Sequence, residues 1–186
     1  DMDIAHWALG LEHTGPVEVE GTATFPQDGM FDTALTYHIE FKYANGMTIT
    51  LTDTGENRHG VLFEGTKGKV YTRGGIEADP PSLAQVKLRP REVHLCESSF
   101  HEANFIDCVR RRAETITPVE VAHRSTSVCL LGGIAVKLGR KLRWDPGSAA
   151  GSRGQGSHQH RRPAGFLAHG VRPPQGRRSA GHGALH

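Results

Sequence analysis

Apolar and polar positions alternate strictly from Val17 to Phe25. Val17, Val19, Gly21, Ala23 and Phe25 fall on one side, and Glu18, Glu20, Thr22 and Thr24 on the other. A period of two predicts a strand with one buried face and one wet face. The alternation returns over Ala34–Tyr43, where Leu35, Tyr37, Ile39, Phe41 and Tyr43 share a side. It returns again over Met47–Thr52, where Met47, Ile49 and Leu51 alternate with threonines. Ala44-Asn45-Gly46 between these two segments is a hairpin signal. Gly60–Glu64 and Lys69–Thr72 predict two further strands, joined by the tight turn Gly65-Thr66-Lys67-Gly68. Consecutive short strands linked by such turns imply a largely antiparallel sheet.

The spacing changes at both ends of this block. Ile4, Trp7, Ala8 and Leu11 recur at helical intervals, and Gly10 is a good stop, so Asp1–Gly10 predicts a helix. Pro80-Pro81 begins a linker. Ser98 or Ser99 can cap a helix running to Arg112, in which Phe100, Ala103, Ile106 and Val109 recur at helical spacing. Pro118 is placed to open another helix through Leu138, with Gly132-Gly133 interrupting its apolar pattern. Lys141–Trp144 predicts a short edge strand. The class is therefore α+β: a largely antiparallel open β-sheet with helices packed on one face, followed by a disordered C-terminal tail. The domain is expected to span 1–145 and the tail 146–186.

Composition separates those two parts. The chain has 186 residues, 37% hydrophobic and 23% charged, with net charge +2. Six of its 22 basic residues and none of its 20 acidic ones lie in 146–186, so the body carries −4 and the tail +6. The tail is rich in Gly, Pro, Arg and His and has no hydrophobic period. It cannot bury enough apolar surface to offset the entropy of ordering. A shift of reading frame near residue 146 would account for the change. No apolar run approaches the roughly 18 residues of a membrane span. The cysteines, Cys96, Cys108 and Cys129, match no zinc or redox spacing, so buried free thiols and a reducing compartment are expected.

Little in the sequence forms a self-contained reaction centre. Arg73-Gly74-Gly75 follows a hairpin strand and does not open a βαβ helix, so it is a turn and not a dinucleotide cradle. Hydrolase, zinc-protease and Walker motifs are absent, and no metal site is expected. Asp3 and His6 lie three apart on one face of the first helix. They form either a carboxylate–imidazole pair in a polar pocket, or a capping carboxylate beside a partly exposed histidine. His94, His101 and His123 are scattered, and His101, Asn104 and Asp107 make a solvated helix face. Arg110-Arg111-Arg112 complements a helix C-terminus.

The ordered set of segments carries more than any one of them. Asp1-Met2-Asp3-Ile4-Ala5-His6-Trp7-Ala8-Leu9-Gly10 with Gly15-Pro16-Val17-Glu18-Val19 resembles the entry to the C-terminal domain of the glucose–fructose oxidoreductase and inositol dehydrogenase (Gfo/Idh/MocA) family. Tyr43-Ala44-Asn45-Gly46, Phe63-Glu64-Gly65-Thr66-Lys67-Gly68, Asn104–Arg110, Pro118–Arg124 and Leu142-Arg143-Trp144-Asp145 are similar to that family in the same order. The resemblance covers about residues 1–145. It implies a two-domain enzyme in which a Rossmann domain binds NAD or NADP and an open-sheet domain supplies the substrate side. It also implies hydride transfer to or from a sugar or cyclitol, assisted by a Lys and a His, and subunits that associate through the sheet face.

The family's Gly-x-His motif, whose His is catalytic, precedes the segment that opens this sequence. Aligned on Asp3, that His falls immediately before Asp1. No catalytic or cofactor-binding residue is therefore expected within this chain, which should be inactive alone. Asp3 and His6 are the substrate-pocket candidates, Asp3 the stronger. The partners implied are a second copy through the open sheet face, where exposed Tyr37, Ile39 and Phe41 would drive association, and a sugar-like molecule in the whole enzyme. No membrane partner is expected. The cytoplasm is the expected location, with an exported form left open. A free-standing sheet module for binding or oligomerisation is the alternative. A nucleic-acid-binding tail is the weakest reading, because the body is acidic and aromatic interleaving is absent.

Overall fold

The computed structural model describes residues 1–53, 55, 58–92 and 98–147. The chain begins with helix α1 (Met2–Leu9), which Gly10 ends in the left-handed conformation, φ 67°. The Leu11 amide donates back to the His6 carbonyl at 2.7 Å and closes that turn. Strands β1 (Glu18–Thr24), β2 (Thr36–Lys42) and β3 (Thr48–Thr52) follow. The turn after β2 closes where the Tyr43 amide donates to the Met47 carbonyl at 2.9 Å and the Met47 amide to Asn45 Oδ1 at 3.0 Å. Next come β4 (Val61–Gly65), β5 (Gly68–Thr72), β6 (Ile76–Asp79), a 3₁₀ turn (Pro81–Gln85), α2 (His101–Arg111), α3 (Val119–Leu138) and β7 (Leu142–Arg143).

The strands form two antiparallel sheets. One has the order β3-β2-β1-β7 and the other β4-β5-β6. Val19 sits opposite Phe41 and Gly21 opposite Ile39, so the apolar sides of β1 and β2 coincide. α3 lies across that side. Val19, Ile39, Phe41, Val128, Leu131 and Ala135 form the buried centre, with Leu11 and Tyr43 at one end. The Gly132-Gly133 pair does not interrupt α3, which runs through both. Gly132 allows close approach to the sheet, because a Cβ there would meet Phe41 Cζ at 2.8 Å.

The α+β class and the helix-covered antiparallel sheet agree with the sequence expectations. Several details differ. The expected single sheet is split in two, and Ile76–Asp79 adds a strand to the second. Ile39 and Phe41 are 4% and 0% exposed, and Tyr37 packs against the same core. These side chains therefore face α3, and the uncovered side of the first sheet carries the Thr, Glu and Lys positions instead. α2 begins at His101, with Phe100 rather than either serine at its N-cap, and it buries none of its residues. Its Phe105, Ile106 and Val109 are exposed, so α2 adds no buried cover to the sheet. Cys129 is exposed and Cys108 half-buried, contrary to the expectation of buried thiols. Cys96, His94 and tail residues 148–186 lie outside the described residues.

Candidate functional site

α1 places the two sequence-predicted pocket residues in different environments. Asp3 sits in the first turn with its side chain 65% exposed, 3.3 Å from the Asp1 amino group. His6 is 1% exposed. No direct bond joins them, although the Asp3 charge reaches the imidazole. The apolar stripe of α1 is also rotated from its expected position. Ala5 and His6 are buried, while Ile4 and Trp7 remain about two-fifths exposed.

The partner of His6 is Tyr43, 37 residues away, just beyond the end of β2. His6 Nε2 and the Tyr43 hydroxyl are 2.6 Å apart and buried. The rings meet edge to face with centroids 5.7 Å apart. Burial pushes the Tyr43 phenol up, so its proton stays on. Burial also pushes the His6 imidazole below its ordinary value, against the opposing pull of the Glu12 and Asp3 carboxylates. Glu12 is itself buried. Cys129 on α3 lies within electrostatic reach of Tyr43. Spacing along the sequence identified Asp3 and His6. It gave no sign of Tyr43 or Glu12, because their proximity is created by folding.

The tautomer of His6 follows from which buried groups each arrangement satisfies. If Tyr43 donates to Nε2, the proton of the neutral ring lies on Nδ1, which has no hydrogen-bond partner among the described residues. If Nε2–H donated instead, both the phenol proton and the Nδ1 lone pair would be unmet. The first arrangement leaves one buried group unsatisfied and the second leaves two, at a cost of about 1–3 kcal/mol for each. Tyr43 is therefore the donor.

Concavities lie away from this pair. A cavity of about 20 Å³ between Pro16, Arg124, Val128 and Trp144 is roughly the size of one water. A shallow open hollow of about 470 Å³ is lined by Phe25, Asp28, Phe31, Asp32 and Lys137. Its Lys137 and Asp32 pair at 2.7 Å, which lowers the Asp32 carboxyl. On α2, Asn104 Oδ1 accepts the Ile116 amide at 3.1 Å, so its role includes bracing the following loop. Arg110 and Arg111 lie in the last turn of α2 and Arg112 caps it, as the dipole argument expects. Among the described residues no group of three or more His, Cys, Asp or Glu could hold a metal ion. No helix there is long and apolar enough to cross a membrane.

Residues 1–156 match the model of a family described as "Oxidoreductase family, C-terminal alpha/beta domain", of the Gfo/Idh/MocA group. The chain belongs to this Gfo/Idh/MocA oxidoreductase family. No curated protein matches the chain. The matched span includes both sheets and all three helices, so α1 and the His6–Tyr43 pair are parts of the Gfo/Idh/MocA domain. The described residues do not fit a dinucleotide. Their sheets are antiparallel, and Gly74 (φ 69°) lies between β5 and β6 instead of opening a helix.

Proposed function

We propose that this chain is the substrate-side and subunit-contact portion of an NAD- or NADP-dependent oxidoreductase acting on a sugar or cyclitol. The family match over residues 1–156 carries this reading. α1 supplies the wall of the substrate pocket, with Asp3 as its exposed polar group and His6 behind it. The dinucleotide and the proton-transfer groups belong to a separate nucleotide-binding domain, so the chain alone does not turn over. The uncovered face of the first sheet meets a second copy.

The chemistry of that face supports a self-complementary contact. Lys42 donates to Glu20 at 2.8 Å, and Lys141 lies 3.2 Å from Glu20 and 3.3 Å from Glu18. Acid and base alternate across β2, β1 and β7, and threonines fill the outward positions of β3. A patch carrying both signs can pair with its own copy about a two-fold axis.

Two measurements test the reading. The chain is assayed with NAD⁺ and NADP⁺ against a panel of aldoses and cyclitols, alone and mixed with a nucleotide-binding domain of the family. Turnover only in the mixture is expected; turnover by the chain alone would overturn the division of labour. Sedimentation at low and high salt tests the contact. A dimer weakened by Lys42→Glu and by salt is expected, and a monomer at all concentrations would exclude the sheet contact.

A further inference from the structure

We propose that α1 is an acid-released latch, which His6 and Tyr43 hold closed on α3 and the sheet only while the imidazole is neutral. This goes beyond the oxidoreductase reading and does not depend on it.

The geometry restricts His6 to one charge state. Its ring is enclosed at 1% exposure, and among the described residues its one hydrogen bond runs from Tyr43 into the Nε2 lone pair. A proton added to the ring would occupy that lone pair. Tyr43 would then have to turn its own hydroxyl hydrogen away from the ring, and the 2.6 Å bond would be lost in its present form. The charged ring would also remain almost wholly shielded from solvent by protein. The titratable and charged groups that face the pair are Glu12 in the connection after α1, Asp3 on α1 and Cys129 on α3. The two carboxylates favour the charged ring, but burial outweighs them and His6 titrates below its ordinary value.

α1 is the element that responds. It packs on α3, and it buries only Ala5 and His6 fully, with the adjoining Leu11, while Met2 and Leu9 are partly buried against the core. His6 is thus the largest side chain that α1 buries fully. The first sheet retains its own core of Val19, Ile39 and Phe41 under α3 when α1 opens. Opening is therefore local, drawn from the low-stability end of the fold. The opened state takes up a proton near the ordinary histidine value of about 6.5, and the closed state only at lower pH. Closure is thus fully favoured above that value and is lost progressively as pH falls below it, with the opening constant rising by at most about tenfold per pH unit.

The test is amide hydrogen exchange on the full chain from pH 7.5 to 5.5, corrected for intrinsic exchange. Protection of the Ala5 and Leu11 amides is expected to fall measurably, by at most about tenfold, relative to the β2 amides, and to stay flat in His6→Gln. Protection in α1 that is independent of pH, or that falls equally in His6→Gln, would overturn the latch. Nitrogen-15 spectra of the wild-type ring provide a readout that needs no variant. The neutral ring protonated on Nδ1 is expected at pH 7.5, and an imidazolium at pH 6.5 or above would overturn the proposal.

Discussion

Replacing Gly132 and Gly133 separately by alanine tests how tightly α3 is seated on the sheet. The two positions are adjacent in the middle of one helix, so each substitution gains the same helix propensity, about 0.8–1 kcal/mol. Their surroundings differ. A Cβ on Gly133 meets nothing within 4 Å, whereas one on Gly132 meets Phe41 Cζ at 2.8 Å, Phe41 Cε1 at 3.3 Å and Ile39 Cδ1 at 3.4 Å. Phe41 is 0% exposed and has no room to swing aside. Overpacking of this kind costs about 1–3 kcal/mol. Gly133→Ala should therefore stabilise the chain by up to about 1 kcal/mol, while Gly132→Ala is neutral to destabilising by about 2 kcal/mol. The propensity gain cancels in the difference, which leaves the packing cost alone. Thermal unfolding followed by circular dichroism reads it at about 2–4 °C per kcal/mol for a chain of this size. Phe41→Leu in the Gly132→Ala background should recover part of the loss. Equal melting temperatures for the two alanine variants would refute the seating of α3 on Phe41.

Tyr43→Phe deletes the one hydrogen bond that the described residues give the buried His6 imidazole and should cost about 1–3 kcal/mol in urea unfolding; an unchanged midpoint would remove His6–Tyr43 from the core. Phe41→Ala should cost about 3–5 kcal/mol, whereas Phe105→Ala on the exposed face of α2 should stay within about 0.5 kcal/mol, both read by the same melts. Glu20 is held below its ordinary value by the Lys42 and Lys141 ammonium groups. Its contribution is therefore present above the ordinary glutamate value near 4.5 and is lost as pH falls below it. Glu20→Gln should flatten that part of the acid unfolding curve, and added salt should shrink the difference.

The strands were legible because period two survives in a sheet with one wet face. β1, β2, β3, β4 and β5 lie within a residue or two of their expected bounds. Alternation fixes which residues share a face. It does not say which face receives a cover, so Tyr37, Ile39 and Phe41 were expected on the open side and lie under α3. It also does not name neighbours, so the separation of β4-β5-β6 from the first sheet was not visible. β6 escaped notice because Ile76-Glu77-Ala78-Asp79 carries two acids and one large aliphatic residue. At the candidate site, the helix around Asp3 and His6 was readable from spacing. The burial of His6 was not, because a histidine counts as polar in any pattern, and the tyrosine that satisfies it lies 37 positions later.

The order of the elements sets a schedule for synthesis on the ribosome. β1, β2 and β3 are complete by Thr52, but the helix that covers them begins only at Val119 and the last strand of that sheet only at Leu142. At about 5–20 residues per second, translating the interval from Thr52 to Val119 takes roughly 3–13 seconds. During that time a finished hairpin sheet has its apolar side open, with Val19, Ile39 and Phe41 uncovered. The nascent chain is therefore most exposed to aggregation, and most accessible to a chaperone, while the stretch between Thr52 and Val119 is being translated. Faster translation of the β4–α2 stretch should raise soluble yield without changing a single residue.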